Sequence, residues 1–107
     1  MLFEMTETHF DEVLAECRKN PVLLDFYAPW CAPCRALAPV LEALSDQYEA
    51  HISAYSIQSD VQETLAARYG VTQLPTIVLL HGDTVRCLTD DLTPEHIEAE
   101  IRAICSL

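Results

Sequence analysis

The segment from Val22 to Cys34 constrains the fold more than any other part of this 107-residue chain. It begins with the nearly continuous apolar run Val22–Tyr27, which is typical of a strand buried on both faces of a largely parallel sheet. Cys31 and Cys34 follow shortly after this run. An apolar stripe with helical spacing comes next, at Leu37, Leu41, Leu44 and Tyr48. The two cysteines are therefore predicted to lie where a buried strand gives way to a helix.

The rest of the chain alternates between strand and helix patterns. The first predicted helix has apolar positions 10, 13, 14 and 17 and is capped by Thr6 or Thr8, and a strand is predicted at 52–57. Another helix is predicted to begin at Asp60 and end at Gly70. Strands at 76–80 and 85–88 are joined by a turn at 81–84, and the last helix is capped by Thr93. With an initial strand, the order is β-α-β-α-β-α-β-β-α. This order predicts one α/β domain over residues 1–107, with helices on both faces of a mixed sheet.

The charge of the chain narrows its possible partners. Acidic residues outnumber basic ones by 17 to 6, which gives a net charge of −11. This charge repels phosphate, so nucleic acids and anionic membrane surfaces are disfavoured. The longest apolar runs reach about half of the ~20 residues that a membrane-spanning helix needs. No basic stretch precedes Glu4, so we expect no signal peptide and a cytoplasmic location.

The spacing of Cys31 and Cys34 predicts thiol–disulfide chemistry. At a helix N-terminus, free amides and the helix dipole stabilise the Cys31 thiolate, which is the species that attacks disulfides. Cys34 would lie one turn further in, be less exposed and resolve the mixed disulfide. A zinc half-site and a pair of inert buried thiols are the alternatives. Zinc would need two more ligands at a matching spacing, and the sequence has no second Cys or His pair of that kind.

Two motifs resemble those of the thioredoxin family. The run DFYAPWCAPCR from Asp25 to Arg35 is similar to the family's active-site stretch, which usually reads WCGPC. The tripeptide Leu74-Pro75-Thr76 is similar to the second family signature, a proline held cis opposite the disulfide. The order of elements also matches, so the resemblance covers essentially the whole chain. It implies the thioredoxin fold and an enzyme that reduces protein disulfides without a bound cofactor.

The resemblance also implies roles for residues around the two cysteines. Asp25 corresponds to the family's buried acid, and burial among apolar residues should raise its pKa and make it the proton acceptor for Cys34. Pro75 is expected to be cis, which would expose the Leu74 backbone for pairing with an extended substrate segment. The residues expected to contact substrate are Trp30, Ala32, Pro33, Leu74, Pro75, Thr76 and Asp90.

Several positions depart from the family pattern. Ala32 stands where glycine is commonest, a change too small to predict a large shift in reduction potential. Ala54 stands where many members carry a lysine near the buried acid, and the lost cation would raise the pKa of Asp25 further. Asp90 and Asp91 replace a loop that borders the substrate groove, and two acids there should favour basic partners.

The three other cysteines are predicted to be small buried hydrophobic residues. Cys17 and Cys105 fall on the apolar faces of their helices, and Cys87 falls in a strand.

The resemblance implies two kinds of partner for a monomeric protein. One is the set of client proteins that contain disulfides. The other is a thioredoxin reductase that restores the dithiol, either a flavoprotein using NADPH or a ferredoxin-linked enzyme. Two alternative functions stay open: a specialised thioredoxin-like protein that serves one client, and a non-catalytic binding module that retains the fold.

Overall fold

The computed structural model describes residues 1–107, and its elements follow the predicted order. The strands are β1 (Leu2–Glu4), β2 (Val22–Tyr27), β3 (Ser53–Gln58), β4 (Thr76–His81) and β5 (Thr84–Leu88). The helices are α1 (Phe10–Cys17), α2 (Ala32–Gln47), α3 (Glu63–Arg68) and α4 (Pro94–Ile104), and a short 3-10 helix, Glu7–His9, precedes α1. None of these helices combines the length and the apolar character that crossing a membrane requires.

The five strands form one mixed sheet in the order β1-β3-β2-β4-β5. β1 and β2 run parallel to β3, whereas β4 runs antiparallel to both β2 and β5. The predicted α/β architecture with an antiparallel hairpin at one edge is therefore confirmed.

The central strand β2 divides its side chains between two hydrophobic clusters. Val22, Leu24 and Phe26 pack in the cluster that contains residues of α1 and α3. Leu23 packs in the cluster that contains residues of α2 and α4. Because helices cover both faces, β2 needs apolar residues at consecutive positions, and burial of each large one contributes about 1.5–3 kcal/mol. By the same alternation Asp25 follows Leu23 onto the α2 side of the sheet.

The ends of the elements match the sequence signals only in part. Thr93 caps α4, since its Oγ1 accepts a 3.2 Å hydrogen bond from the His96 amide. Gly70 follows α3 with a φ of +65°, as expected of a residue just beyond a helix. The caps predicted at Thr6 and Thr8 for α1 and at Asp60 for α3 are wrong. α1 and α3 begin later, after His9 and Gln62, and neither of these residues makes a side-chain cap.

Cys87 lies in a strand, as predicted, but it is not buried there. Cys17 is buried and Cys105 is half-buried, but Cys87 is exposed. Cys87 lies on the edge strand β5, opposite Val78. The cluster under α1 and α3 includes Val78 but no residue of β5, so these helices leave the edge strand uncovered.

Candidate active site

The first turn of α2 holds the two cysteines of the motif. Cys31 is the N-cap residue, with extended backbone, and its Sγ atom accepts a 3.3 Å hydrogen bond from the Cys34 amide. Pro33 lies in the first turn, where its missing N–H leaves no helix hydrogen bond unmade. Cys31 and Cys34 are joined in a disulfide whose Cα atoms are 5.3 Å apart. The strand–helix junction predicted from the sequence therefore carries a closed redox pair.

The disulfide is nearly buried, while the residue before it is not. Cys31 and Cys34 expose 6% and 4% of their surface and pack with Ala28. Trp30 exposes 69% of its surface. Leu74 is half-buried and packs against the same small cluster. The chain therefore presents the indole of Trp30 to solvent directly before the buried pair.

Two grooves flank the disulfide. One, of about 390 Å³, is lined by Trp30, Cys31, Ser59, Asp60, Val71, Thr72, Gln73 and Leu74. The other, of about 380 Å³, is lined by Pro33, Ala36, Leu37, Val40, Pro75, Thr89 and Leu92. Together they bring four of the predicted contact residues, Trp30, Pro33, Leu74 and Pro75, to the two sides of the disulfide. Ala32 is exposed in the first turn of α2 but does not line either groove.

The segment before β4 leaves backbone groups free beside Cys31. The Leu74–Pro75 peptide bond is cis, as the resemblance implied. Neither the amide nor the carbonyl of Leu74 takes part in a hydrogen bond within the chain. Thr76 was expected to contact substrate in the groove, but its side chain does not face the groove. Its side chain is buried and donates a 2.7 Å hydrogen bond to the Gln73 carbonyl, so it holds the turn instead.

A third cavity, of about 410 Å³, lies between the sheet and α2 and contains both Asp25 and Cys34 in its wall. Asp25 exposes only 5% of its surface, and its Oδ1 atom has no hydrogen-bond partner. Burial raises the pKa of Asp25 to about 7, and the negative charge of Glu4 adds to the rise. A carboxyl that titrates near neutral pH is suited to exchange a proton with a neighbouring thiol.

The sequence-based interpretation of Ala54 is wrong. Strand register pairs Asp25 with Ser56, whereas Ala54 pairs with Leu23 and packs in the cluster under α2 and α4. Ser56, which lines the Asp25 cavity, is therefore the neutral neighbour of the buried acid on β3.

Two residues of the site were not predicted from the sequence as part of it. One residue that was predicted lies at the margin of the site. Asp60 lines the groove beside Cys31, and Glu4 acts on Asp25 from β1. Only the pairing of β1 with β3 brings Glu4 close, and three residues of strand carry too weak a pattern to reveal that pairing. Asp90 is exposed in the loop after β5, next to Thr89, but does not itself line a groove.

The comparison with protein families agrees with this arrangement. Residues 1–103 match the family model described as Thioredoxin. The chain belongs to the thioredoxin family. The fold gives the same result, since it superposes on a mutant thioredoxin from Halobacterium salinarum with a TM-score of 0.85 and 33% identity, over 99% of this chain and 91% of that one. Thioredoxin from Fasciola hepatica gives a TM-score of 0.85 at 26% identity, over 96% and 98% of the two chains.

Relatives by sequence share shorter segments with this thioredoxin-family chain. It is 46% identical to thioredoxin from Porphyra purpurea over 59 residues, which is 55% of each chain. It is 42% identical to thioredoxin 1 from Nostoc sp. over 62 residues, which is 58% of each. In these alignments the chain spans somewhat more than half the length of the relatives it matches.

Proposed function

We propose that this chain reduces disulfides in client proteins through the Cys31–Cys34 pair. The observation that carries the proposal is the disulfide at the start of α2, flanked by two open grooves and backed by the buried Asp25. In this reading Trp30 and Pro33 contact the client, and the free backbone groups of Leu74 pair with its main chain.

The reaction transfers two electrons from the dithiol to the client. The Cys31 thiolate attacks one client sulfur, the client S–S bond breaks, and the displaced thiolate takes a proton from water. Cys34 gives its proton to the Asp25 carboxylate, and the resulting thiolate attacks Sγ of Cys31. The bond between Cys31 and the client then breaks, so the client leaves with its second sulfur reduced while the Cys31–Cys34 disulfide closes.

The dithiol must then be restored by a reductase. We infer a thioredoxin reductase as this partner, either an NADPH-dependent flavoprotein or a ferredoxin-linked enzyme, acting on a monomer in the cytoplasm. The redox-active group is the cysteine pair itself, so the reaction needs no bound cofactor. The described residues contain no group of three or more His, Cys, Asp or Glu side chains arranged to hold a metal ion.

Insulin reduction driven by dithiothreitol tests the reductase activity without any assumption about the natural reductase. The wild-type chain should accelerate precipitation of the insulin B chain, whereas Cys31→Ser should give the rate of dithiothreitol alone. Cys87→Ser is the matched control, because it removes an exposed thiol away from the site and should keep full activity. A wild-type rate equal to that of dithiothreitol alone would contradict the proposal.

A specialised protein with one client is the second candidate, favoured by the acids near the grooves. Asp60 lines the groove beside Cys31, and Asp90 and Asp91 are exposed next to the other. Cys34→Ser should trap clients as mixed disulfides through Cys31, with Cys31→Ser as the control that traps none. Trapping of many proteins supports the general reductase, and trapping of a single protein supports the specialised protein. Absence of any trapped protein supports a binding module.

A further inference from the structure

Three polar side chains form one row across the sheet behind the active-site disulfide. Strand register pairs Asp25 of β2 with Ser56 of β3, and Ser56 with Glu4 of β1. Leu23 and Leu2, two residues before Asp25 and Glu4, both pack on the α2 side. Since side chains alternate along a strand, Asp25 and Glu4 face that side too. Two strand spacings of about 4.8 Å place their Cα atoms roughly 10 Å apart.

A hydrogen bond holds the Glu4 carboxylate in this row. The Tyr27 hydroxyl donates to Glu4 Oε1 at 2.7 Å. Tyr27 lies two residues after Asp25 on the same face of β2 and lines the same cavity. Glu4 also raises the pKa of Tyr27, after burial, because loss of the hydroxyl proton would place a second negative charge beside the carboxylate. The hydroxyl therefore stays a donor and keeps the Glu4 charge on the Asp25 side of the sheet.

The other ionisable groups around Asp25 come from α2, and each charged one is bound to a backbone group in the wall of the same cavity. They are Cys34, Arg35 and Glu42. The Arg35 guanidinium donates a 2.8 Å hydrogen bond to the Pro29 carbonyl, and the Glu42 carboxylate accepts from the Leu2 amide at 3.2 and 3.4 Å. On the β4 side Asp25 pairs with the apolar Ile77. Glu4 is the charge that acts most on Asp25 after burial itself.

We propose that Glu4, fixed by the Tyr27 hydroxyl two strands away from Asp25, is a positioning residue whose negative charge favours transfer of the Cys34 proton to Asp25. This inference rests on the proposed function for the step it serves, but the electrostatic effect does not depend on activity. A carboxylate that is fully ionised well below neutral pH is a weak base toward a thiol, whereas one that titrates near the working pH is an effective one. Glu4 itself touches no reacting atom.

Titration of the Asp25 carboxyl carbon by ¹³C NMR, in the oxidised protein, tests the electrostatic part. With a charge separation taken as the Cα separation of roughly 10 Å and an effective dielectric of about 20–40, removal of the Glu4 charge should lower the Asp25 midpoint by roughly 0.6 to 1.2 pH units. Glu4→Gln should show this decrease, and Tyr27→Phe a smaller one in the same direction. The double variant should add little to Glu4→Gln alone, because both substitutions act through one carboxylate.

Glu63→Gln is the matched control, since it removes the same charge from an exposed position on α3, on the opposite face of the sheet. An Asp25 midpoint that is unchanged in Glu4→Gln, or that falls equally in Glu63→Gln, would overturn the inference. The pH dependence of insulin reduction tests the catalytic part: its acid limb should move down by the same amount in Glu4→Gln. An acid limb that stays fixed while the NMR midpoint moves would overturn the role in resolution. A wild-type chain without activity would instead contradict the proposed function, leaving the NMR result to decide the effect of Glu4.

Discussion

The Cys34 amide donates its hydrogen bond to Sγ of Cys31, so the first cysteine caps the helix that carries the second. The same amide can stabilise the Cys31 thiolate once the disulfide is reduced. We therefore expect iodoacetamide to modify Cys31 at pH 7 roughly tenfold or more faster than Cys34. Mass spectrometry of peptides from the reduced protein measures both rates. Equal rates would contradict the assignment of Cys31 as the nucleophile, and Cys34→Ser should preserve the high rate at Cys31.

The buried carboxyl of Asp25 predicts an unusual dependence of stability on pH. Its pKa rises from 3.8 to about 7 on folding. Between these values the folded chain holds a proton that the unfolded chain has lost, so this group's contribution to stability falls as pH rises through that window. Asp25→Asn removes the effect. The free energy of unfolding of Asp25→Asn minus that of wild type should increase by roughly 2–4 kcal/mol between pH 4 and pH 8, because only the wild type loses this contribution.

Urea unfolding of the two oxidised proteins at several pH values measures this difference directly. Titration of every other group is shared by both proteins and cancels in the comparison. Asp83→Asn is a suitable control, because Asp83 is exposed in the turn between β4 and β5 and makes no side-chain hydrogen bond or ion pair. Parallel stability profiles for wild type and Asp25→Asn would contradict the raised pKa.

The cap of α4 predicts a contrast between two threonines. Thr93 Oγ1 accepts the His96 amide, so Thr93→Ala should lower the free energy of unfolding by about 1 kcal/mol. Thr6 precedes the short 3-10 helix without a side-chain cap, so Thr6→Ala should change it by less than about 0.5 kcal/mol. Thermal unfolding of both variants checks the contrast, and equal losses would show that the Thr93 hydrogen bond contributes little.

Exposure of the edge strand predicts selective labelling of a cysteine outside the motif. In the oxidised folded protein a maleimide should label Cys87 within minutes and leave Cys17 unlabelled until the chain unfolds. The labelled protein should still reduce insulin, because Cys87 lines neither groove beside the disulfide. Rapid labelling of Cys17, with Cys87 protected, would reverse the structural assignment of these two thiols.

The sequence was most informative where local pattern and burial coincide. The apolar run of β2, the cysteine pair after it and the cap at Thr93 are each determined by neighbours in the chain, and all were predicted correctly. Cys87 was not, because its exposure depends on which strand forms the edge and on where α1 and α3 end above the sheet. Glu4 was missed for a related reason, since parallel pairing across the whole chain places it near Asp25.

The unused backbone groups of Leu74 bear on how such a site chooses among clients. Every residue of a polypeptide except proline offers the same amide and carbonyl. Recognition through these groups therefore does not depend on which side chain the residue carries. A groove of this kind would accept nearly any extended segment next to a disulfide. Selection would then depend on whether the client can unfold that segment locally and on the charge that the segment carries toward Asp60. Under this view the flexibility of the client would govern its rate of reduction more than its amino-acid sequence does.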